Sequence, residues 1–225
     1  MGLLDRWRKP APGGAGSRPA TRPPGRRSRR RARHAEPVVN EAQLREVLRE
    51  DPNDATAFEA LADLVRTRAA QAREEDAAGA SGPEEVRRAA DNAEWALAEE
   101  MAQSPQAWRP LLVLGRLSLT DDHEAALRRL GIAAERDGSG RALAAALGVL
   151  REAGMNDEAL SLGVGHWRPR EHDLQAGRHL VAAAIEAGRL SEARRHLKAL
   201  GMHPDSAGVD RLRAELEEQI ARASR

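Results

Sequence analysis

The sequence predicts an all-α fold made of stacked antiparallel helix pairs, and three observations predict it. Ala and Leu dominate the apolar residues, whereas the chain holds one Phe (Phe58) and no Tyr. Ala is the strongest helix former, and strand formers such as Ile, Tyr and Phe are nearly missing. Apolar residues also recur at helical spacing, as in Phe58, Leu61, Ala62, Leu64 and Val65. Finally, a block of sequence returns. Glu152-Ala153-Gly154 precedes Glu158-Ala159, Glu186-Ala187-Gly188 precedes Glu192-Ala193, and the two blocks lie 34 residues apart. Another 34 residues upstream stands Glu124-Ala125, and Leu112, Ala146 and Leu180 keep the same step, as do Val113, Leu147 and Val181, then Leu119, Ala153 and Ala187.

The elements follow in order. Residues 1–37 are rich in Arg, Pro, Gly and Ser and almost free of apolar side chains after Trp7. Burial there would not offset the entropy of ordering the chain, so a disordered basic tail is expected. The repeat domain is expected over 38–225. Asn40 with Gln43 resembles a capping box, and Leu44, Val47 and Leu48 form the short apolar face of a first helix. Asp51-Pro52-Asn53-Asp54 ends it and starts a second helix through Phe58 and Leu61. An insertion is expected near 72–83, with Ala77 to Gly82 as a flexible break and Pro83 in the first turn of the next helix. Val86, Ala89, Ala90, Ala93, Leu97 and Met101 mark that helix, which Ser104-Pro105 ends. The periodic units follow. Each has a first helix ending at a Gly- or Asp-rich turn and a second with an acidic first turn, which suits the helix dipole. A small Ala early in the second helix (Ala125, Ala159, Ala193) allows close packing. A last helix over about 207–223 carries Val209, Leu212, Leu216 and Ile220 on one stripe and charges on the other. A polar outer face of this kind is what closes a helical stack.

A 34-residue period in helical sequence is the tetratricopeptide period. The chain resembles that family in Ala125, Ala159 and Ala193, which match the small residue opening the second helix. It also resembles it at the Asp-Pro-Asn-Asp junction of 51–54, and in Phe58, Leu61 and Ala62, where the family has a large aromatic, a Leu and a Gly. The likeness spans roughly 40–205. It departs from the family in the lost aromatics of most first helices and in a second-helix pattern that decays through Leu130, Val164 and Lys198. The resemblance implies a TPR-like α-solenoid and a protein-binding scaffold.

Composition narrows the function further. With no Cys, disulfides, thiolate metal sites and a Cys nucleophile are excluded. No segment reaches the roughly 20 apolar residues of a membrane span, and the N-terminus lacks the apolar run of about 7–15 residues of a secretory signal. A cytoplasmic location is the resulting expectation. Neither a Gly-x-Ser-x-Gly elbow nor a His-Glu-x-x-His pair occurs, and Gly138-Ser139-Gly140 reads as an interhelix turn. His166, His172, His179, His196 and His203 fall close together, but His172 and His179 are seven residues apart, which is not the adjacent-turn spacing that chelates one ion. The expectation is no enzyme, no metal and no cofactor.

Candidate binding residues come from three places. In the family the resemblance points to, first helices line a concave groove. That places Asp63, Arg66, Arg141, Arg151, Gln175 and Arg178 in the groove, where arginine forks would take carboxylates of an acidic segment. The Lys/Asn clamp that chaperone-binding members use has no counterpart, because Asn occurs only at 40, 53, 92 and 156. Trp167 with Arg168 and Arg170 reads either as an exposed epitope or as a loop whose Trp packs between units. Third, residues 1–36 hold eleven of the 36 basic residues and two of the 35 acidic ones, which leaves 25 basic against 33 acidic in the remainder. Arg26, Arg27, Arg29, Arg30, Arg31 and Arg33 form the densest run, suited to nucleic acid or an anionic membrane surface through electrostatics alone. Leu3, Leu4 and Trp7 would supply an apolar contact beside it. Only two Lys stand against 34 Arg, a bias of GC-rich codons, so arginine abundance in itself says little about nucleic acid.

Overall fold

A computed structural model describes residues 40–76 and 82–225. The basic run of Arg26 to Arg33, the Leu3-Leu4-Trp7 turn and most of the expected break after Ala77 lie outside these described residues. The rest is all-helical, with ten helices and no strand among the described residues. All belong to the unit Val39–Arg225. They are α1 (Glu41–Glu50), α2 (Ala55–Asp76), α3 (Pro83–Met101), α4 (Arg109–Ser118), α5 (His123–Arg136), α6 (Arg141–Glu152), α7 (Asn156–His166), α8 (Leu174–Glu186), α9 (Leu190–Leu200) and α10 (Ser206–Ala223). None is long and apolar enough to cross a membrane.

The helix starts follow local chemistry. Asn40 accepts from the Ala42 N–H at 3.1 Å while Gln43 accepts from the Asn40 N–H at 3.3 Å, which completes the expected capping box. Asp122, Asp173 and Asp205 cap α5, α8 and α10 through their carboxylates. Pro83 opens α3 at a position that needs no N–H. α2 continues to Asp76, into the segment near 72–83 where an insertion was expected, because Ala69 to Glu75 contains no residue that breaks a helix.

Two turns 34 residues apart have the same backbone form. α6 and α8 end at Gly154 (φ 74°) and Gly188 (φ 72°), in the left-handed region. Past each glycine the same bond closes the helix: Met155 N–H donates to the Leu150 carbonyl and Arg189 N–H to the Ala184 carbonyl, both at 2.8 Å. This is the six-to-one bond of a glycine-terminated helix. α4 ends without glycine, and Asp122 N–H bonds back to the Ser118 carbonyl at 2.8 Å. One register is thus built with two kinds of turn.

Packing uses the small residues. Ala125, Ala159 and Ala193 are all buried, the latter two completely. Glycines let helices approach closely: a Cβ on Gly177 of α8 would stand 2.5 Å from Leu200 of α9 and 2.6 Å from the Trp167 ring. Leucines fill the rest, with Leu130, Leu143, Leu147, Leu150, Leu180 and Leu216 fully buried. Each helix from α1 to α9 packs on its successor, and α4 on α6, α6 on α8, and α8 on α10. Each of α4, α6 and α8 therefore touches both of the next two helices.

The loops between these units are stitched through backbone groups. Asn53 Oδ1 accepts from Trp108 N–H (2.7 Å) and Arg109 N–H (3.0 Å), and its Nδ2 donates to the Gln106 carbonyl at 2.9 Å. Arg136 Nη1 donates to the carbonyls of Ala107 (2.8 Å) and Ser104 (3.1 Å) in the same loop. One loop further on, Asp173 N–H donates to the Ser139 carbonyl at 2.7 Å. The turns inside the units are joined differently, by the ion pair of Arg189 with Asp157 at 2.7 Å and by His123 beside Glu158 at 3.7 Å.

Candidate functional site

The groove residues expected from the sequence fall into two groups. Arg66, Arg151 and Arg178 hold carboxylate partners of their own. Arg66 Nη1 and Arg116 Nη2 each reach Glu94 at 2.7 Å, joining α2, α3 and α4 around a carboxylate that is 5% exposed. Arg151 of α6 grips Glu186 of α8 with two bonds, one of them 3.0 Å, and its Nη1 lies 2.7 Å from His179 Nδ1. Arg178 of α8 reaches Glu215 of α10 at 2.9 Å. These arginines tie successive elements together, so their forks are not free to take a ligand carboxylate without giving up a partner.

Sequence reasoning missed Glu94, Glu186, Glu215 and His179 as members of this cluster. A signal existed: Arg151 and Glu186 are 35 residues apart and Arg178 and Glu215 are 37 apart, close to the repeat step.

His179 sits among cations. Burial first, then the charges of Arg151 and Arg178, push its pKa down to about 4, with Glu186 opposing. The ring is neutral at pH 7. Its Nδ1 accepts the Arg151 N–H, which places the proton on Nε2. Burial likewise lowers the pKa of His172, packed on Gly140, and of His196. His172 Nδ1 accepts from the Arg168 N–H at 3.4 Å, so it faces a different partner from His179. No group of three or more His, Asp or Glu among the described residues could hold a metal ion.

Asp63, Arg141 and Gln175 are the exposed members. Arg141 bonds to Ser139 Oγ at 3.1 Å and has no carboxylate within ion-pair distance among the described residues. It lines a cavity of about 460 Å³ with Asp51, Asn53, Asp54, Trp108 and Arg109, where α2, α4 and α6 begin. Gln175 lines a second, of about 480 Å³, with Asp173, His203, Asp205 and Arg211, where α8 and α10 begin. Both cavities carry aspartates beside arginines, a lining able to meet both signs of charge on a peptide.

The Trp167 string divides in the same manner. The Trp167 ring is partly buried against Gly177 and meets His196 edge-on, with centroids 6.4 Å apart at 72°. It packs against α8 and α9. Arg168 and Arg170 are exposed, and Arg168 pairs with Glu171 at 3.3 Å. Trp108 is buried and Trp95 half-buried, with Arg109 and Arg129 stacked over them at 5.0 and 4.8 Å.

No family model, no curated protein and no solved structure matches this chain. The class that the fold defines is an all-helical protein whose helices and turns are consistent with a helical repeat.

Proposed function

We propose that the protein is a non-enzymatic interaction scaffold, a TPR-like α-solenoid of antiparallel helix pairs closed by α10, working in the cytoplasm. A protein segment would bind along the face of the even-numbered helices. The observation that carries this reading is the 34-residue register, seen as identical left-handed glycine turns at 154 and 188 and buried alanines at 125, 159 and 193. Repeats of this kind cannot bury their faces singly, and stacking leaves a long continuous surface for a partner. Within that surface the exposed Arg141, Gln175 and Asp63 are better contacts than Arg151 and Arg178, which are held by Glu186 and Glu215.

The test is affinity capture with the full chain against an Arg141→Glu, Gln175→Glu variant, read by quantitative mass spectrometry. About tenfold depletion of specific partners in the variant is expected, since charge reversal at a contact costs of order 1–2 kcal/mol. Equal recovery by both would sink the groove assignment.

A second reading has its own support in the charge asymmetry of the sequence. The run Arg26 to Arg33 would bind nucleic acid without base selectivity. Affinity for RNA or duplex DNA should then fall steeply with salt and vanish when residues 1–36 are removed, and a flat salt profile would contradict it.

A further inference from the structure

An open groove of about 560 Å³ runs between α9 and α10. Its floor is apolar, made of Leu197 and Ile220, with the exposed Ala221 at its lip. Arg194 and Lys198 of α9 and Arg213 of α10 line its sides, against the single carboxylate of Glu217. None of the three cations pairs with a carboxylate among the described residues. Arg194 donates to Ser224 Oγ at 3.2 Å, and the Arg213 guanidinium rests against Gly201. This distinguishes them from the arginines of the even-numbered face, most of which are neutralised internally.

One groove of this kind within the unit, that between α5 and α6, is filled. α5 and α6 are flanked by α4 and by α7, and each of those two touches both. α9 and α10 have α8 touching both, and no described helix lies on the other side. A helix is therefore the shape that fits the space, with apolar side chains at spacings of three and four to meet Leu197 and Ile220. The uncompensated cations select the sign of its polar face. A membrane surface is the poorer match, since the apolar residues are recessed between two helices while the cations stand at the rim.

We propose that the α9–α10 groove docks an acidic amphipathic helix of a partner protein, its apolar stripe on Leu197 and Ile220 and its carboxylates on Arg194, Lys198 and Arg213. This site is separate from the even-numbered face and does not depend on that face being used.

The probe is a fluorescein-labelled synthetic helix of roughly 16 residues, with Leu at positions i, i+3, i+4 and i+7 and Glu elsewhere. A second peptide has Lys in place of every Glu. Fluorescence anisotropy with the full chain should show binding of the Glu peptide that weakens as salt rises. Lys198→Glu with Arg213→Glu should weaken it about tenfold or more and reverse the preference toward the Lys peptide, an exchange that mere loss of structure would not produce. Ala221→Glu, at an exposed position, should block the groove with the helical circular dichroism unchanged. Arg128→Glu, at an exposed position of α5 assigned to neither face, should leave binding as it was.

Four results would overturn the proposal. They are no binding of the Glu peptide, equal binding of both peptides, unchanged binding in Ala221→Glu, and loss of binding in Arg128→Glu. Self-association of the full chain that Ala221→Glu abolishes, without peptide binding, would instead assign the groove to a second copy. Retention on phosphatidylserine vesicles that Lys198→Glu abolishes, again without peptide binding, would assign it to lipid.

Discussion

A carboxylate that is 5% exposed needs cations, and Glu94 has two. Because Arg66 and Arg116 arrive from α2 and α4, one side chain on α3 fixes the spacing of both neighbours. Glu94→Ala removes the shared acceptor and leaves the arginines, with side chains 39% and 46% exposed, to turn toward water. A loss of about 1–3 kcal/mol is expected by urea denaturation, with Glu94→Gln costing less, because the amide retains one acceptor. His179 makes the opposite prediction about pH. Its folded pKa of about 4 lies below the unfolded value, so the folded state prefers the neutral ring. The stabilisation is complete above about pH 6.5 and is lost as pH falls toward 4, as the unfolded chain takes up the proton first. His172 and His196, also lowered, act in the same direction. The His179 share is at most about 2 kcal/mol once solvent screening is allowed for. Urea midpoints at pH 7 and pH 4.5 should therefore differ less in His179→Gln than in the wild type. An equal drop in both would show that His179 is not the group responsible.

At the scale of the helix and its turn, glycine substitutions should carry opposite signs. Gly154 and Gly188 sit at positive φ with open space around them, so alanine there meets backbone strain alone. Each Gly→Ala change should cost about 1 kcal/mol, and the pair should add, since the turns share no bonding partner. Gly165 lies within α7 with open space where a Cβ would stand, and alanine there should stabilise by some tenths of a kcal/mol. Thermal unfolding of the three variants decides it, and a stabilising Gly154→Ala would refute the turn geometry. These turns were legible in the sequence because periodicity and glycine chemistry are local. The capping box at Asn40, Pro83 at a helix start, and α10 to within a residue were legible for the same reason. The Arg–Glu ties were not. Whether Arg151 faces Glu186 or solvent depends on how α6 is rotated against α8, and a 34-residue period says that helices recur without saying which faces meet. Trp167 was ambiguous in the sequence on the same ground, and the gap at Gly177 that accepts its ring exists only once α8 and α9 are packed.

Taken as a whole, the unit 39–225 should be most rigid in its middle. α6 touches α4, α5, α7 and α8, and α8 touches α6, α7, α9 and α10, whereas α1 packs chiefly on α2 and leaves Val47 43% exposed. Amide hydrogen exchange should be slowest in α6 and α8 and fastest in α1. Uniform protection along the chain would argue against a stack of semi-independent units. The two ways of joining the loops have a mechanical consequence. Asn53, Arg136 and Ser139 bind successive loops through backbone carbonyls and amides, contacts that salt barely screens, while the turns on the units' other ends meet through surface charges such as Arg189 with Asp157. One set of joints is sewn and the other only clasped by charge. Raising ionic strength should loosen the clasp between Arg189 and Asp157 while the seams at Asn53, Arg136 and Ser139 hold.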